Sequence, residues 1–105
     1  MTTKEYNEWI INFYKERGWY DYDPFIRTCF LTEEVGEISR VVRSLEIGRD
    51  RPDENLLDQS VLHNNLKEEL ADVLDNVLIL ADKYSITLDE IMAYQIKKLE
   101  QRFGE

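Results

Sequence analysis

The sequence predicts an all-α protein that forms one domain over residues 1–105. Four segments repeat their apolar residues with the helical period of about 3.6 residues, and no segment alternates convincingly with period two. Capping and stop signals flank these segments. Neither internal repeats nor Gly/Ser-rich linkers divide the 105 residues, which is a common length for a domain with a single core.

The first two helices are bounded by recognisable signals. The first is predicted over residues 3–17, with Gly18 ending it. Asp23 then provides an N-cap and Pro24 the first helical position, and the second helix is predicted to continue to about Ile47, before Gly48. The apolar stripe of the first helix contains Tyr6, Trp9, Ile10, Phe13 and Tyr14. This stripe predicts that Trp9 belongs to the core.

A charged segment, residues 49–58, separates the second helix from the third and is predicted to be a loop because it contains Pro52. Its Arg49 and Arg51 are candidates for phosphate contacts. The third helix is predicted over residues 59–83. Within its central part, from residue 70 to 81, the only polar residues are Asp72, Asp75 and Asn76. A helix that is apolar nearly all round is expected to be buried on most sides.

Thr87 and Glu90 form a capping box that predicts the start of a fourth helix, which extends to about Phe103 before Gly104. Three short neighbouring helices cannot easily cover the apolar surface of the third helix. We therefore expect a second copy of the chain to complete the bundle, giving a homo-oligomer.

Composition limits the possible partners. The formal net charge of -9 argues against nucleic acid or an anionic membrane as a partner. It does not exclude a phosphorylated ligand, because a bound divalent metal reverses the local field. Cys29 is the only cysteine, so no intramolecular disulfide can form. The sequence has no signal peptide and no apolar run near 18 residues, so a soluble, cytoplasmic protein is expected.

Glu34 lies at the middle of the apolar face of the second helix, between Phe30, Ile38, Val41 and Leu45. An unpaired carboxylate in that position costs several kcal/mol or takes up a proton, unless a cation accompanies it. Glu37, three residues later, shares this face, and Glu69 and Asp72 repeat the spacing on the third helix. If the two helices pack antiparallel, four carboxylates converge. Ligands that offer only oxygen favour Mg²⁺, or Mn²⁺, over zinc or copper.

Such pairs of acids most often form a solvated helix face or half of a salt bridge. Two observations favour a metal site here: Glu34 is in the middle of an apolar stripe, and Asp72 interrupts an otherwise apolar helix. The neighbouring Glu33 and Glu68 can each be a base, a residue that orients the site or an exposed acid. His63 and Cys29 have no partner motif and are assigned structural or surface roles.

The acids also carry a family resemblance. The segments EEVGE, residues 33–37, and EELADVL, residues 68–74, together resemble the EExxE…ExxD signature of MazG-type nucleotide pyrophosphohydrolases in the all-α NTP pyrophosphatase superfamily. The similarity covers most of the chain. It implies a four-helix MazG-like bundle, homodimers or dimers of dimers, and Mg²⁺-dependent hydrolysis of nucleoside or deoxynucleoside triphosphates to a monophosphate and pyrophosphate, a nucleotide house-cleaning activity.

The resemblance also implies roles for residues. Metal ligation would come from Glu34, Glu37, Glu69 and Asp72, while Glu33 would help to orient water. For hydrolysis without a covalent intermediate, Glu33 or Glu37 is the candidate for accepting the proton of the attacking water. Candidate substrate contacts are Asn76, one turn after Asp72, and Lys98 and Arg102 near the end of the fourth helix. The alternative for the two basic residues is a favourable interaction with the helix macrodipole.

Two departures from the family pattern keep a second function open. The segment between the acidic pairs is longer than in many members, and Leu99 stands where the family often has asparagine. A non-catalytic helical module that binds nucleotide or protein is therefore the alternative. A di-iron carboxylate bundle is a further rival, but it normally requires Glu-x-x-His on two helices, and His63 is preceded three positions back by Ser60.

Overall fold

The computed structural model describes residues 1–48 and 58–104. The described residues form four helices and no strand: α1 (Thr3–Glu16), α2 (Pro24–Ile47), α3 (Gln59–Asp82) and α4 (Leu88–Phe103), with a 3₁₀ turn at Trp19–Asp21. The all-α prediction is therefore confirmed. The predicted loop, with Pro52, Arg49 and Arg51, lies outside the described residues except for Asp58. None of the described helices is long and apolar enough to cross a bilayer.

The helix ends follow the capping residues seen in the sequence. Asp23 and Thr87 accept hydrogen bonds from the backbone N–H groups of Ile26 and Glu90, at the starts of α2 and α4. Asp58 caps α3 in the same way. Gly104 ends α4 in the left-handed conformation, with φ of 70°, which costs glycine little because it has no Cβ.

The helices α2 and α3 pack antiparallel and form the main contact of the fold. Arg27 near the start of α2 is hydrogen-bonded to Asn76 of α3, while Glu34, two turns later, lies beside Glu69 and Asp72, which precede Asn76 on α3. The antiparallel packing, which was the condition for the acidic segments to converge, is thus present. It brings the two acidic segments to the same level of the bundle.

The other two helices are attached through α1. This helix contacts both α3 and α4, and the carboxamide oxygen of its buried Asn7 accepts a hydrogen bond from the backbone N–H of Leu88 at the start of α4. Buried apolar side chains are few in the described residues: Ile10, Ile11, Leu62, Leu78 and Ile79. The prediction for Trp9 was wrong, because this side chain is 57% exposed. It lies on the surface between the rings of Tyr6 and Phe13 while α1 turns Ile10 and Ile11 inwards.

Much of the apolar surface remains open in the single chain. On α3, Leu70 and Leu74 are 50% and 40% exposed, whereas the polar Asp75 and Asn76 are buried. The radius of gyration is 17.0 Å, compared with about 13 Å for a compact domain of this length. The single chain is therefore more open than a self-contained globular domain, and α3 is not covered on most sides within it.

Candidate active site

Three carboxylates from two helices meet between α2 and α3. Glu34 of α2 and Glu69 and Asp72 of α3 each place a carboxylate oxygen so that the three atoms lie within 4.8 Å of one another. All three side chains are partly buried. The sequence prediction that the two acidic segments converge is confirmed for these residues.

This convergence changes the acidity of the group at its centre. Burial raises the pKa of Glu34 from 4.5 to about 7, with further contributions from a hydrogen bond to Glu69 and from the negative charges of Asp72, Glu69 and Glu37. Burial also raises the pKa of Asp72, which lies near the charges of Glu69, Glu68 and Asp75. The carboxylates therefore repel one another, and without a cation Glu34 takes up a proton at a higher pH than an ordinary glutamate does.

The donor set fits a hard divalent cation. Only carboxylate oxygens converge, without histidine or thiolate, and such ligands suit Mg²⁺ or Mn²⁺ better than softer metals. Three ligands leave coordination positions for water and for the oxygens of a phosphorylated ligand. A cation would also relieve the repulsion that raises the pKa of Glu34.

Two of the three acids, Glu34 and Asp72, line a cavity of about 300 Å³, which reaches the lower limit for small-molecule sites. Its walls combine acids, other polar groups and aromatic rings. The lining residues are Tyr14, Trp19, Tyr22, Arg27, Phe30, Glu34, Asp72 and Asn76. The cavity therefore joins a charged end, suited to a metal and phosphates, to an aromatic end.

Arg27 and Asn76 form a buried polar link across the α2–α3 interface. Arg27 is only 4% exposed and Asn76 only 5%. The Arg27 guanidinium donates to Asn76 Oδ1 at 2.8 Å and to the carbonyl oxygen of Trp19 at 2.6 Å. Asn76 Nδ2 donates to the backbone oxygen of Asp72 at 2.8 Å. These bonds orient the Asn76 amide and attach the 3₁₀ turn to the site.

The remaining acids predicted for the site lie at its edge. Glu37 is partly buried one turn after Glu34 and forms an ion pair with Arg40. It is not part of the group of three converging oxygens, although its charge contributes to the raised pKa of Glu34. Glu33 is exposed on α2. Metal ligation by Glu37 and proton transfer by Glu33 or Glu37 therefore stay predictions.

The two predicted basic contacts lie on a different helix from the cavity. Lys98 is partly buried and Arg102 exposed on α4, and neither lines the cavity. The main contact of α4 is with α1. Of the three candidate contacts Asn76, Lys98 and Arg102, the fold therefore places Asn76 alone in the cavity wall, while Arg49 and Arg51 lie outside the described residues.

The sequence reasoning missed Arg27 and most of the aromatic wall. The signal for Arg27 was present, because it lies seven residues, or two turns, before Glu34 on the same helix face. The argument that singled out an acid on an apolar face applies equally to a base there. Tyr14 and Phe30 carried no such signal, since aromatic residues on a helix are ordinarily core, and Tyr22 lies in the short connection between the 3₁₀ turn and α2.

A helical protein with carboxylates grouped beside a ligand-sized cavity is suited to binding a metal-complexed ligand between helices. The model of the MazG nucleotide pyrophosphohydrolase domain matches residues 27–104. The chain belongs to this family, as its acidic segments indicated. A protein of Bacillus subtilis (strain 168), described as uncharacterized protein YvdC, is 46% identical over 103 residues, covering 98% of this chain and 97% of the relative. The search of solved structures gave no significant match.

Membership of the family supports a general function for the site. A MazG domain indicates pyrophosphohydrolase activity on nucleotides, and the family typically depends on metal. The matched region begins at Arg27 and includes all three converging carboxylates. Tyr14, Trp19 and Tyr22 of the cavity wall lie before it. The acidic part of the cavity thus lies in the family domain, while three of its four aromatic lining residues come from the preceding segment.

Proposed function

We propose that this protein is a Mg²⁺-dependent pyrophosphohydrolase of nucleoside or deoxynucleoside triphosphates, acting in nucleotide house-cleaning in the cytoplasm. The observation that carries the proposal is the convergence of Glu34, Glu69 and Asp72 at one end of a cavity whose other end is aromatic. A nucleoside triphosphate has the matching division into a charged chain and a flat apolar base.

In this proposal Glu34, Glu69 and Asp72 hold the metal ion, and Glu37 joins them by exchanging its contact with Arg40 for the metal. When bound, Mg²⁺, or Mn²⁺ in its place, neutralises phosphate charge and makes a nearby water more acidic. Asn76, held by Arg27 and the Asp72 carbonyl, is oriented before substrate arrives. Such preorganisation reduces the entropy lost on binding.

The reaction breaks the bond between the α- and β-phosphates and releases pyrophosphate. Water supplies the oxygen, and its proton passes to a carboxylate, for which Glu33 and Glu37 are the candidates. Glu33 is exposed and adjoins Glu34, so it can exchange the proton with solvent. A carboxylate whose negative charge is needed for a metal is less suited to this task. For this reason we favour Glu33 over Glu37 as the base.

We also propose that the active form is a homodimer or a dimer of dimers. Open apolar side chains on α3 and α4 support this, among them Leu70, Leu74, Ile96 and Phe103. Among the described residues, Arg27 is the one basic residue that lines the cavity, while Lys98 and Arg102 lie on α4 outside it. A neighbouring copy packed on the open face could bring these two residues to the phosphates.

The test is the release of pyrophosphate from a panel of ribo- and deoxyribonucleoside triphosphates, with Mg²⁺ and with EDTA. We expect Mg²⁺-dependent production of one monophosphate and one pyrophosphate per substrate. Release of single inorganic phosphates would place the cleavage elsewhere and contradict the proposal. A folded protein that binds these nucleotides without hydrolysing any of them would favour the non-catalytic module instead.

A further inference from the structure

The aromatic end of the cavity contains a buried arginine that has more hydrogen-bond donors than partners. The guanidinium has five N–H groups, and in the described structure it donates to Asn76 Oδ1 and to the Trp19 carbonyl oxygen. Its Nε is buried and has no hydrogen-bond partner among the described residues. A buried donor left unpaired is costly, so this position favours a ligand that brings an acceptor.

The surroundings of Arg27 supply aromatic faces in place of a carboxylate. The guanidinium carbon lies 5.2 Å from the ring centre of Tyr14, 5.4 Å from that of Phe30 and 6.0 Å from that of Tyr22. Burial lowers the pKa of Arg27, which reflects the cost of the buried charge. Cation–π contacts offset part of this cost. They use none of its N–H groups, and the guanidinium borders the cavity that a ligand would enter.

The other polar groups at this end add little acceptor capacity. Asn76 Oδ1 already accepts from Arg27, and Asn76 Nδ2 is used by the Asp72 carbonyl. The Trp19 indole N–H can only donate, and the Trp19 carbonyl is also engaged by Arg27. Of the groups at this end, only the hydroxyls of Tyr14 and Tyr22 can act both as hydrogen-bond donors and as acceptors. This end of the cavity is therefore rich in donors and suits a ligand edge that presents oxygen acceptors.

The position of Arg27 along α2 indicates that the ligand edge it contacts belongs to the base of a nucleotide. Arg27 precedes Glu34 by two helical turns, or about 10 Å along the axis. This separation resembles the reach from the phosphate of a nucleotide to the far edge of its base. Trp19 and Tyr22, which are 45% and 43% exposed, border the same end and can stack on a base.

We propose that Arg27 is a specificity-determining residue. It selects nucleotides whose base carries an oxo group, such as uracil, hypoxanthine or guanine. It disfavours nucleotides whose base carries an amino group at the same position, such as cytosine or adenine. The proposal rests on the function proposed above. Arginine donates to the O6 and N7 acceptors of guanine in other recognition sites, and an amino group cannot accept these bonds. An amino-bearing base would leave the buried guanidinium unpaired.

The test compares ligands that differ at this one position. Isothermal titration calorimetry in MgCl₂ gives the Kd of IMP against AMP and of UMP against CMP, and the deoxyribonucleotides are measured in parallel. We expect the oxo member of each pair to bind about ten- to a hundredfold more tightly. Equal affinities within each pair, or a preference for the amino members, would overturn the inference even if the protein hydrolyses triphosphates. Binding is measured independently of hydrolysis, so the two proposals fail separately.

Substitution then attributes the preference to Arg27. In Arg27→Met we expect the ratio between oxo and amino members to fall to within about twofold, whereas Lys4→Met retains the wild-type ratio. Lys4 is an exposed basic residue near the start of α1 and does not line the cavity. A ratio that survives in folded Arg27→Met would assign the selection to other residues. Circular dichroism shows whether Arg27→Met folds. If it does not fold, the wild-type measurements still test the base preference, and Arg27→Lys tests whether Arg27 causes it. Lysine retains the charge but lacks the forked set of donors, so this variant should also lower the ratio.

Discussion

The α2–α3 pair and helix α4 place polar and apolar residues in opposite ways. The buried side chains of α2 and α3 include Arg27, Asp75 and Asn76, and each is hydrogen-bonded within the chain. On α4 no residue is buried, and Ile96 and Phe103 are 58% and 74% exposed. The α2–α3 pair thus carries a site largely formed by its own contacts, whereas α4 has an apolar surface that needs cover. The difference separates the site that a single chain forms from the apolar surface that the proposed homo-oligomer would cover.

The strongest test of the α2–α3 site is removal of one converging charge. We expect Glu34→Gln or Asp72→Asn to lower kcat/KM for triphosphate hydrolysis at least about 100-fold, because a metal ligand is lost. The matched control is Glu46→Gln, an exposed acid on α2 outside the cavity, which should retain wild-type activity. Full activity in either site variant would show that these acids do not hold the metal.

The second prediction compares buried and exposed isoleucines on the two helices. Ile79 is 0% exposed on α3, so Ile79→Ala should lower the free energy of unfolding by about 2–4 kcal/mol at any protein concentration. Ile96→Ala should cost less than about 0.5 kcal/mol in dilute monomer and more as the protein concentration rises, if another copy covers α4. Urea denaturation at two protein concentrations measures both values. A concentration-independent effect at Ile96 would contradict the cover proposed for α4.

The third prediction concerns the contact that anchors α1 to α3. The Tyr6 hydroxyl donates to Asp75 Oδ1 at 2.5 Å, and Asp75 is only 8% exposed. Burial raises the pKa of Asp75, which the bond from Tyr6 opposes. Tyr6→Phe removes the donor and leaves a buried acid, so unfolding should become easier by about 1–3 kcal/mol. Tyr94→Phe, at a tyrosine that is 73% exposed on α4, serves as the control and should change stability little.

The smallest predicted effect is on the pH dependence of stability without metal. The folded chain raises the pKa of Glu34 from 4.5 to about 7, chiefly through burial and then through Glu69, Asp72 and Glu37. Between these values the folded state binds more protons than the unfolded state, so stability should fall as the pH rises from about 5 to 7. Thermal melting in EDTA measures this fall.

Two additions sharpen the pH experiment. Mg²⁺ should reduce the fall, because it stabilises the ionised carboxylates at the upper end of the range. Glu34→Gln should also reduce it, since glutamine does not titrate. If neither Mg²⁺ nor Glu34→Gln changes the slope of stability against pH, other groups cause the pH dependence. That result would contradict strong coupling among Glu34, Glu69 and Asp72.

Local signals in the sequence predicted the helices well. Thr3 to Glu16 matches the predicted first helix to within one residue, and Asp23, Gly48 and Thr87 act at helix ends as their side chains or conformational freedom require. Capping depends on neighbours within three or four positions, so it can be seen in the chain itself. The same is true of the ExxE and ExxD spacings, which place two acids on one face.

Contacts between distant segments were harder to predict. Trp9 follows the apolar stripe of α1 but is largely exposed, because only the packing of α1 on α3 and α4 decides which part of that stripe is covered. Tyr14, Tyr22 and Phe30 meet around Arg27 only once the 3₁₀ turn carries the chain from α1 into α2. Periodicity predicts which side chains share a face of a helix. It does not predict which other segment of the chain packs against that face.

By itself, the sequence determined an all-α chain with four bounded helices and acids placed where only a cation or a proton makes them tolerable. These are consequences of local geometry, since helical spacing fixes which side chains share a face. Only the tertiary structure decided that Glu34 meets Glu69 and Asp72, and that Arg27 closes an aromatic cavity beside them. Those pairings depend on the register between α2 and α3, which is set by the packing of whole helix faces and by no single motif.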